Sequence, residues 1–219
     1  MTEPIAGLLL AAGGGRRLGG RPKALLEYGG RPLVEHAARV LREGGCGPVH
    51  IVLGAAAEDV RERADLSGCT VTVNPDWAEG MGSSLRAGLE SLARTGTGTG
   101  PGTATGARAV VVALVDQPGI GAAAVARVVA AYRSPSSLAS AAYDGKRGHP
   151  VLLGAEHWRG VAANAVGDQG ARAYLKQHES EIRLVECGDV ADPADIDTPD
   201  DLRLLRTIDE TRAPRATKY

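Results

Sequence analysis

Glycines and cationic side chains are concentrated near the amino terminus, directly after an apolar run at residues 5–10. Glycine allows the backbone to turn tightly and to approach a ligand closely. Exposed backbone N–H groups and fixed cations suit a polyphosphate, and a strand that leads into such a loop is where open α/β sheets bind ligands. The segment is therefore a candidate nucleotide-binding loop, and a glycine-rich surface turn with solvated charges is the alternative. Its cations are Arg16, Arg17, Arg21 and Lys23.

Two common nucleotide-binding patterns do not fit this loop. The Walker pattern has its glycine spacing at 15 and 20, but Arg21 and Pro22 stand where Lys and Ser or Thr are required. The dinucleotide pattern fails because Leu18 occupies the position of its third glycine. A phosphate-binding loop of another kind is therefore predicted.

Asp116 follows the apolar run AVVVALV, at the carboxyl end of a predicted buried strand. Helix capping explains it poorly, since Pro118 and Gly119 separate it from the next predicted helix. Magnesium typically uses one or two carboxylates together with substrate phosphate oxygens. Asp116 is therefore a candidate ligand for Mg²⁺.

A second acidic segment, ADIDTPDDL, covers residues 194–202. Residues 198–201 are typical of a helix start, with Thr as the N-cap, Pro in the first helical position and acidic side chains in the first turn. A helix start explains neither Asp195 nor Asp197, which precede it. Both remain candidates for a role in the site.

Strand-like and helix-like segments alternate along the chain, which predicts a mostly parallel sheet with helices on both faces and right-handed crossovers. A short return strand at 151–153 predicts a small antiparallel excursion with 138–143. The predicted strands cover 5–11, 49–53, 70–74, 109–115, 138–143 and 182–187. The predicted helices cover 32–43, 58–64, 83–93, 122–131, 170–178 and 200–208.

The 219 residues suit one domain, predicted at 1–210. The Gly/Thr-rich stretch at 95–107 predicts a flexible insertion, and the polar end at 211–219 predicts a disordered tail. A formal net charge of −1 favours neither nucleic acid nor a membrane surface as a partner. Three scattered cysteines predict neither a zinc site nor a disulfide framework, and a cytoplasmic location is expected.

Taken together, the loop LAAGGGRRLGGRPK, Asp116-Gln117-Pro118 and the DIDTP motif resemble the MobA-like NTP transferase family. The resemblance extends from residue 5 to residue 205. It implies that Arg17 and Lys23 neutralise a triphosphate, with Asp116 as the third catalytic residue, and that Asp116 and Asp197 bind Mg²⁺. The loop residues implied in nucleotide binding are Ala11, Ala12, Gly13, Gly14, Gly15 and Arg16.

Two further regions carry the resemblance. The segment NPDWAEGMGSSLRAGL resembles the family element that contacts the base and ribose, which implicates Asn74, Gly80, Met81 and Ser84. The segments GKRGHP and GDQGAR resemble the acceptor-pocket elements of molybdenum cofactor cytidylyltransferases within this family. They implicate Arg147, His149, Asp168 and Arg172, although the family often carries Asn where His149 stands.

The resemblance implies a three-layer, Rossmann-like α/β nucleotidyltransferase that uses Mg²⁺. The implied reaction moves CMP from CTP to the phosphate of molybdopterin, a pterin-type acceptor, and releases pyrophosphate. A transient contact with a molybdoenzyme or its chaperone is also implied.

Two alternatives to this function stay open. One is transfer of another base or to another acceptor, such as guanylyl transfer or transfer to a small phosphorylated metabolite. The other is a redox offshoot of the fold resembling nicotine-blue oxidoreductase.

Overall fold

The computed structural model describes residues 4–95 and 106–205. Its main element is a seven-stranded sheet in the order β5-β4-β1-β6-β8-β7-β9, beside a small sheet of β2 and β3. Only β8 runs antiparallel to its neighbours in the large sheet. The strands are β1 Ile5–Ala11, β2 Glu27–Tyr28, β3 Arg31–Pro32, β4 Val49–Leu53, β5 Cys69–Val73, β6 Ala109–Leu114, β7 Leu138–Tyr143, β8 Lys146–Gly154 and β9 Ile182–Glu186.

Helices cover both faces of the sheet, because its central strands are apolar on both sides. In β1, Leu9 packs into one core cluster with α1, α2 and α4, while Leu8 and Leu10 pack into the other with α3, α5 and α6. The predicted three-layer α/β architecture is therefore confirmed. The helices are α1 Leu33–Glu43, α2 Ala57–Arg63, α3 Met81–Thr95, α4 Ala122–Val129, α5 Trp158–Asn164 and α6 Arg172–Gln177.

The direction of the chain reverses at the centre of the sheet. From β1 the chain moves outward through β4 to β5, and it then returns to β6 on the other side of β1. The carboxyl ends of β1 and β6 therefore form a topological switch point, which is where open α/β sheets bind ligands. The glycine-rich loop follows β1, and Asp116 follows β6.

The largest departure from the predicted elements is β8. The sequence predicts a short strand at 151–153, whereas β8 has nine residues and pairs with both β6 and β7. Helix α5 has no counterpart among the predicted elements. The predicted helix at 200–208 corresponds to the 3-10 turn Pro199–Asp201 and helical residues 202–205, and its last residues, 206–208, lie outside the described part of the chain.

Several predictions concern residues outside the described part of the chain. Most of the predicted insertion at 95–107 and the whole of the predicted tail at 211–219 lie there. The assignment of 1–210 to one domain stays a prediction. Within residues 4–95 and 106–205, no helix is long and apolar enough to cross a membrane.

Candidate active site

The loop after β1 folds back on itself around Gly15. The carbonyl of Gly15 accepts hydrogen bonds from the N–H groups of Leu18, at 2.8 Å, and Gly20, at 3.0 Å. Gly15 has φ +61°, and a Cβ atom there would lie 1.8 Å from the carbonyl oxygen of Arg21. In contrast, the N–H groups of Gly13 and Gly14 meet no acceptor among the described residues. The loop thus combines a glycine-dependent turn with free backbone donors.

We expect Gly15→Ala to weaken triphosphate binding far more than Gly19→Ala. Both glycines have positive φ, +61° and +68°, so both substitutions carry backbone strain of about 1 kcal/mol or more. Only at Gly15 would the added Cβ also collide with backbone, because nothing lies within 4 Å of a Cβ at Gly19. Calorimetric titration of CTP against the two variants measures the difference. Equal losses would show that the fold-back at Gly15 does not shape the binding loop.

Lys23 joins the two predicted metal-binding carboxylates. Its Nζ lies 2.7 Å from Oδ2 of Asp116 and 2.5 Å from Oδ1 of Asp197. Its side chain is only 15% exposed, whereas that of Arg17 is 77% exposed and its Nη1 lies 3.6 Å from Oδ2 of Asp197. The structure therefore brings residues from three distant parts of the sequence to one point at the sheet edge.

Backbone contacts fix the two carboxylates relative to one another. The N–H of Ile196 donates to the carbonyl of Asp116 at 2.8 Å, and the Ile196 side chain is fully buried. The Asp201 carboxylate accepts from the N–H groups of Thr198, at 2.7 Å, and Asp197, at 3.1 Å. The helix-start interpretation of residues 198–201 is thus confirmed, and the same contacts position Asp197.

The charges at this point shift two pKa values. Burial alone would lower the pKa of Lys23, but the adjacent Asp116 and Asp197 carboxylates outweigh it and raise that pKa. Partial burial raises the pKa of Asp195, and the nearby Asp116 adds to this effect. Lys23 is therefore charged across the physiological range.

A divalent cation fits the carboxylate pair. Both oxygens already lie within hydrogen-bonding distance of one ammonium group, so they converge on a single point. Among the described residues no group of three or more His, Cys, Asp or Glu side chains could hold a metal. Two carboxylates suit Mg²⁺ when substrate phosphates and water complete its shell, which is its usual mode of binding.

The segment between β5 and α3 is held by buried polar contacts. The Asn74 amide donates to the hydroxyls of Ser83, at 2.8 Å, and Ser84, at 3.1 Å. Helix α3 begins at Met81, two residues before its predicted start at 83, so both serines lie in its first turn. Asn74 and Ser84 are buried supports of this turn, and their predicted contact with a nucleotide stays a prediction.

A cavity of about 1040 Å³ lies between β8, α3 and α6, beside the cluster that Lys23 forms with Asp116 and Asp197. Gln117 and Asp195 line it on the side of the cluster. Its buried lining is apolar, and its exposed rim carries both signs of charge, with the carboxylates of Asp144 and Glu179 among the cations. The apolar lining includes Leu10, Met81, Leu85, Val112, Leu114 and Leu153, and the cations are Lys146, Arg147, Arg172 and Lys176. Such a cavity suits a flat ring system that carries an anionic group.

Three of the four predicted acceptor residues lie at this cavity. Arg147, His149 and Arg172 line its wall. Asp168 instead lies against the turn at Gly80, where a Cβ atom would come within 2.5 Å of Oδ1 of Asp168. It is exposed and does not line the cavity. Its position follows from the 3-10 turn Gly167–Gln169, which packs on the start of α3 rather than opening toward β8.

His149 is partly buried in the cavity wall, and its pKa lies well below neutral pH, so the side chain is uncharged at pH 7. Burial lowers its pKa to about 4, Asp116 opposes this shift, and Arg172 adds to it. Since the unfolded chain protonates His149 near pH 6.5 and the folded protein does not, stability should fall as the pH drops from 6.5 towards 4. Asn cannot titrate, so His149→Asn should reduce this fall by up to about 3 kcal/mol. Urea unfolding of both proteins at pH 7 and 4.5 measures it, and parallel pH profiles would contradict it.

The switch-point loop, the carboxylate pair and the adjacent cavity together define an α/β nucleotidyltransferase. The sequence profile of the MobA-like NTP transferase domain matches residues 7–182. The chain belongs to the MobA-like NTP transferase family. The match includes Arg17, Lys23 and Asp116, whereas Asp197 lies beyond it.

The relatives of this chain carry different names. It is 43% identical over 209 residues to the nicotine blue oxidoreductase of Paenarthrobacter nicotinovorans. That alignment covers 92% of this chain and 96% of the relative. It is 30% identical to the molybdenum cofactor guanylyltransferase of Mesorhizobium japonicum, over 95% of this chain and 99% of the relative. The crystal structure of Rv0371C from Mycobacterium tuberculosis H37Rv in complex with manganese superimposes with a TM-score of 0.70. It has 30% identity and covers 92% of this chain and 97% of that chain.

Proposed function

We propose that this enzyme transfers CMP from CTP to the phosphate of molybdopterin and releases pyrophosphate. The observation that carries the proposal is the convergence of Lys23, Asp116 and Asp197 at the end of the glycine-rich loop, next to a large cavity. In-line transfer requires positioning and charge neutralisation rather than a covalent nucleophile. This set of residues supplies both.

The loop and its cations would hold the triphosphate. The free N–H groups of Gly13 and Gly14 would donate to phosphate oxygens, and Arg17 and Lys23 would neutralise their charge. Arg16 is exposed at the same loop and would assist. Ala11 and Ala12 are buried at the end of β1, so they would shape the binding surface through their backbone.

Asp116 and Asp197 would hold Mg²⁺. When bound, the ion would neutralise charge on the phosphate oxygens of the nucleotide. The manganese complex of the Mycobacterium relative supports a divalent cation in this fold. The Mg²⁺ assignment itself rests on the preference of that ion for one or two carboxylates plus phosphate.

The cavity would bind the acceptor. Its apolar floor suits the face of a pterin ring, and Arg147 and Arg172 suit a phosphate, to which arginine binds in a bidentate manner. An uncharged His149 can donate and accept hydrogen bonds without adding charge, so it can take the place of the Asn that is frequent in the family. A cytoplasmic location and a transient contact with a molybdoenzyme or its chaperone belong to the same proposal.

Two other functions are each favoured by one relative. The molybdenum cofactor guanylyltransferase of Mesorhizobium japonicum favours GTP as the donor. The nicotine blue oxidoreductase of Paenarthrobacter nicotinovorans favours a redox reaction on nicotine blue in the same cavity. The missing third glycine of the dinucleotide pattern, at Leu18, argues against the redox function.

Pyrophosphate release from each of the four NTPs, with and without molybdopterin, separates these functions. We expect release only when CTP and molybdopterin are both present. Release with GTP alone among the NTPs would establish guanylyl transfer. If no NTP releases pyrophosphate, and NADH or NADPH reduces nicotine blue, the transferase proposal fails in favour of the oxidoreductase.

A further inference from the structure

Trp77 lies beside the glycine-rich loop and is not among the residues proposed to bind the triphosphate, the metal or the acceptor. It begins the 3-10 turn Trp77–Glu79, between β5 and α3. A Cβ atom at Gly14 would lie 3.4 Å from two ring carbons of Trp77, so the indole lies directly against this loop residue. Gly14 also carries one of the free backbone N–H groups that would bind phosphate.

The position of this side chain depends on a second glycine. A Cβ atom at Gly54, just after β4, would lie 2.6 Å from the Cβ of Trp77 and 2.8 Å from the Cβ of Ala12. Only glycine at position 54 therefore allows Trp77 to approach the ends of β1 and β4. The N–H of Ala55 donates to the carbonyl of Ala12 at 3.1 Å, which holds these two strand ends together beneath the indole.

Core packing does not account for Trp77. The other tryptophan, Trp158, packs against one of the two core clusters, and its indole N–H donates to the carbonyl of Leu153 at 3.0 Å. Trp77 is half-exposed and packs against neither cluster, and within the described residues its indole N–H has no acceptor. A large aromatic ring is thus held at the ligand-binding edge of the sheet with one donor free.

We propose that Trp77 forms one wall of the nucleobase site and stacks on the base of the bound nucleoside triphosphate. The inference rests on the triphosphate site of the proposed function. Every nucleobase has a π-face, and an aromatic side chain beside a phosphate-binding surface is the usual partner for it. The indole lies next to the phosphate-binding glycines, so a base linked to those phosphates through one ribose can reach it.

The inference can be tested by comparing CTP with inorganic tripolyphosphate, which has the phosphates but no nucleoside. We would measure the Kd of CTP and of inorganic tripolyphosphate for the wild type, Trp77→Ala, Trp77→Phe and the matched control Trp158→Phe. Trp77→Ala should raise the Kd of CTP by about 5- to 150-fold, since a stacking contact corresponds to about 1–3 kcal/mol. The Kd of tripolyphosphate should not change. Trp77→Phe should restore most of the CTP affinity, and Trp158→Phe should change neither Kd.

Tryptophan fluorescence gives an independent measurement that does not require Trp77→Ala to fold. In Trp158→Phe the only tryptophan is Trp77, and CTP should quench its emission whereas tripolyphosphate should not. Unchanged CTP affinity in Trp77→Ala, equal losses for both ligands, or no quenching by CTP would overturn the role of Trp77 while leaving the triphosphate site intact. If the wild type binds neither ligand, the proposed function itself fails.

Discussion

Replacement of either Asp116 or Asp197 by Asn should lower turnover by about 100- to 1,000-fold, the usual cost of losing one group that stabilises developing charge. Both carboxylates converge on one point, where Lys23 now contacts them at 2.7 and 2.5 Å. Asn keeps the size of the side chain and removes its charge, so the protein should stay folded. Steady-state kinetics across a range of Mg²⁺ concentrations measure the effect, and any residual activity should require more Mg²⁺.

The double variant distinguishes a shared ion from two separate contributions. If both carboxylates bind the same Mg²⁺, the loss of one already impairs the ion site, so the second substitution should add little. Asp200→Asn is the matched control, because Asp200 is an exposed carboxylate in the same acidic segment with no part in the cluster. It should retain wild-type turnover. A double variant whose loss equals the product of the two single losses would contradict a shared ion.

Replacement of Lys23 by Met should weaken triphosphate binding by about 10- to 150-fold, which corresponds to a charge-assisted contact of about 1.5–3 kcal/mol. The same substitution should strengthen the binding of Mg²⁺ alone, because the ammonium occupies the point on which the two carboxylates converge. Calorimetric titrations of CTP and of Mg²⁺ measure these opposite effects on one variant.

Substitutions of two other loop cations, Arg17 and Arg21, serve as comparisons for the loss of CTP affinity in Lys23→Met. Arg17 is 77% exposed and its Nη1 lies 3.6 Å from Oδ2 of Asp197, so Arg17→Ala should have a smaller effect on CTP affinity. Arg21 is exposed and lies outside the cluster, so Arg21→Ala should have the smallest. If all three variants lose CTP affinity equally, the loop acts only through its net charge. If Lys23→Met binds Mg²⁺ more weakly than the wild type, the carboxylate pair is not the metal site.

Several strands of the large sheet could be predicted from sequence because they are predominantly apolar. The predicted bounds of β1, β4 and β7 coincide with those of the structure. In contrast, the first half of β8 is polar and half-exposed at the rim of the cavity, so only its apolar end, 151–153, could be predicted as a strand. Helix α5 is short and has no side-chain N-cap, and this left no start signal in the sequence.

For the site, the sequence could identify candidate residues but not their arrangement. Lys23 and Asp197 are separated by 174 positions, and nothing in the spacing indicates that their side chains meet. The backbone hydrogen bond from Ile196 to Asp116 helps to bring Asp197 to this point, because it joins the segment that precedes Asp197 to the end of β6. The position of Trp77 could not be predicted for a related reason, because only the fold places it against Gly14 and Gly54.

A crystal structure with a non-hydrolysable CTP analogue and Mn²⁺ tests the triphosphate site most directly, because Mn²⁺ can be located by its anomalous scattering. We predict one anomalous peak within about 2.1 Å of an oxygen from each of Asp116 and Asp197. The triphosphate should lie on the N–H groups of Gly13 and Gly14, with Lys23 at its oxygens. A nucleotide bound elsewhere, or a metal that contacts neither carboxylate, would contradict the account.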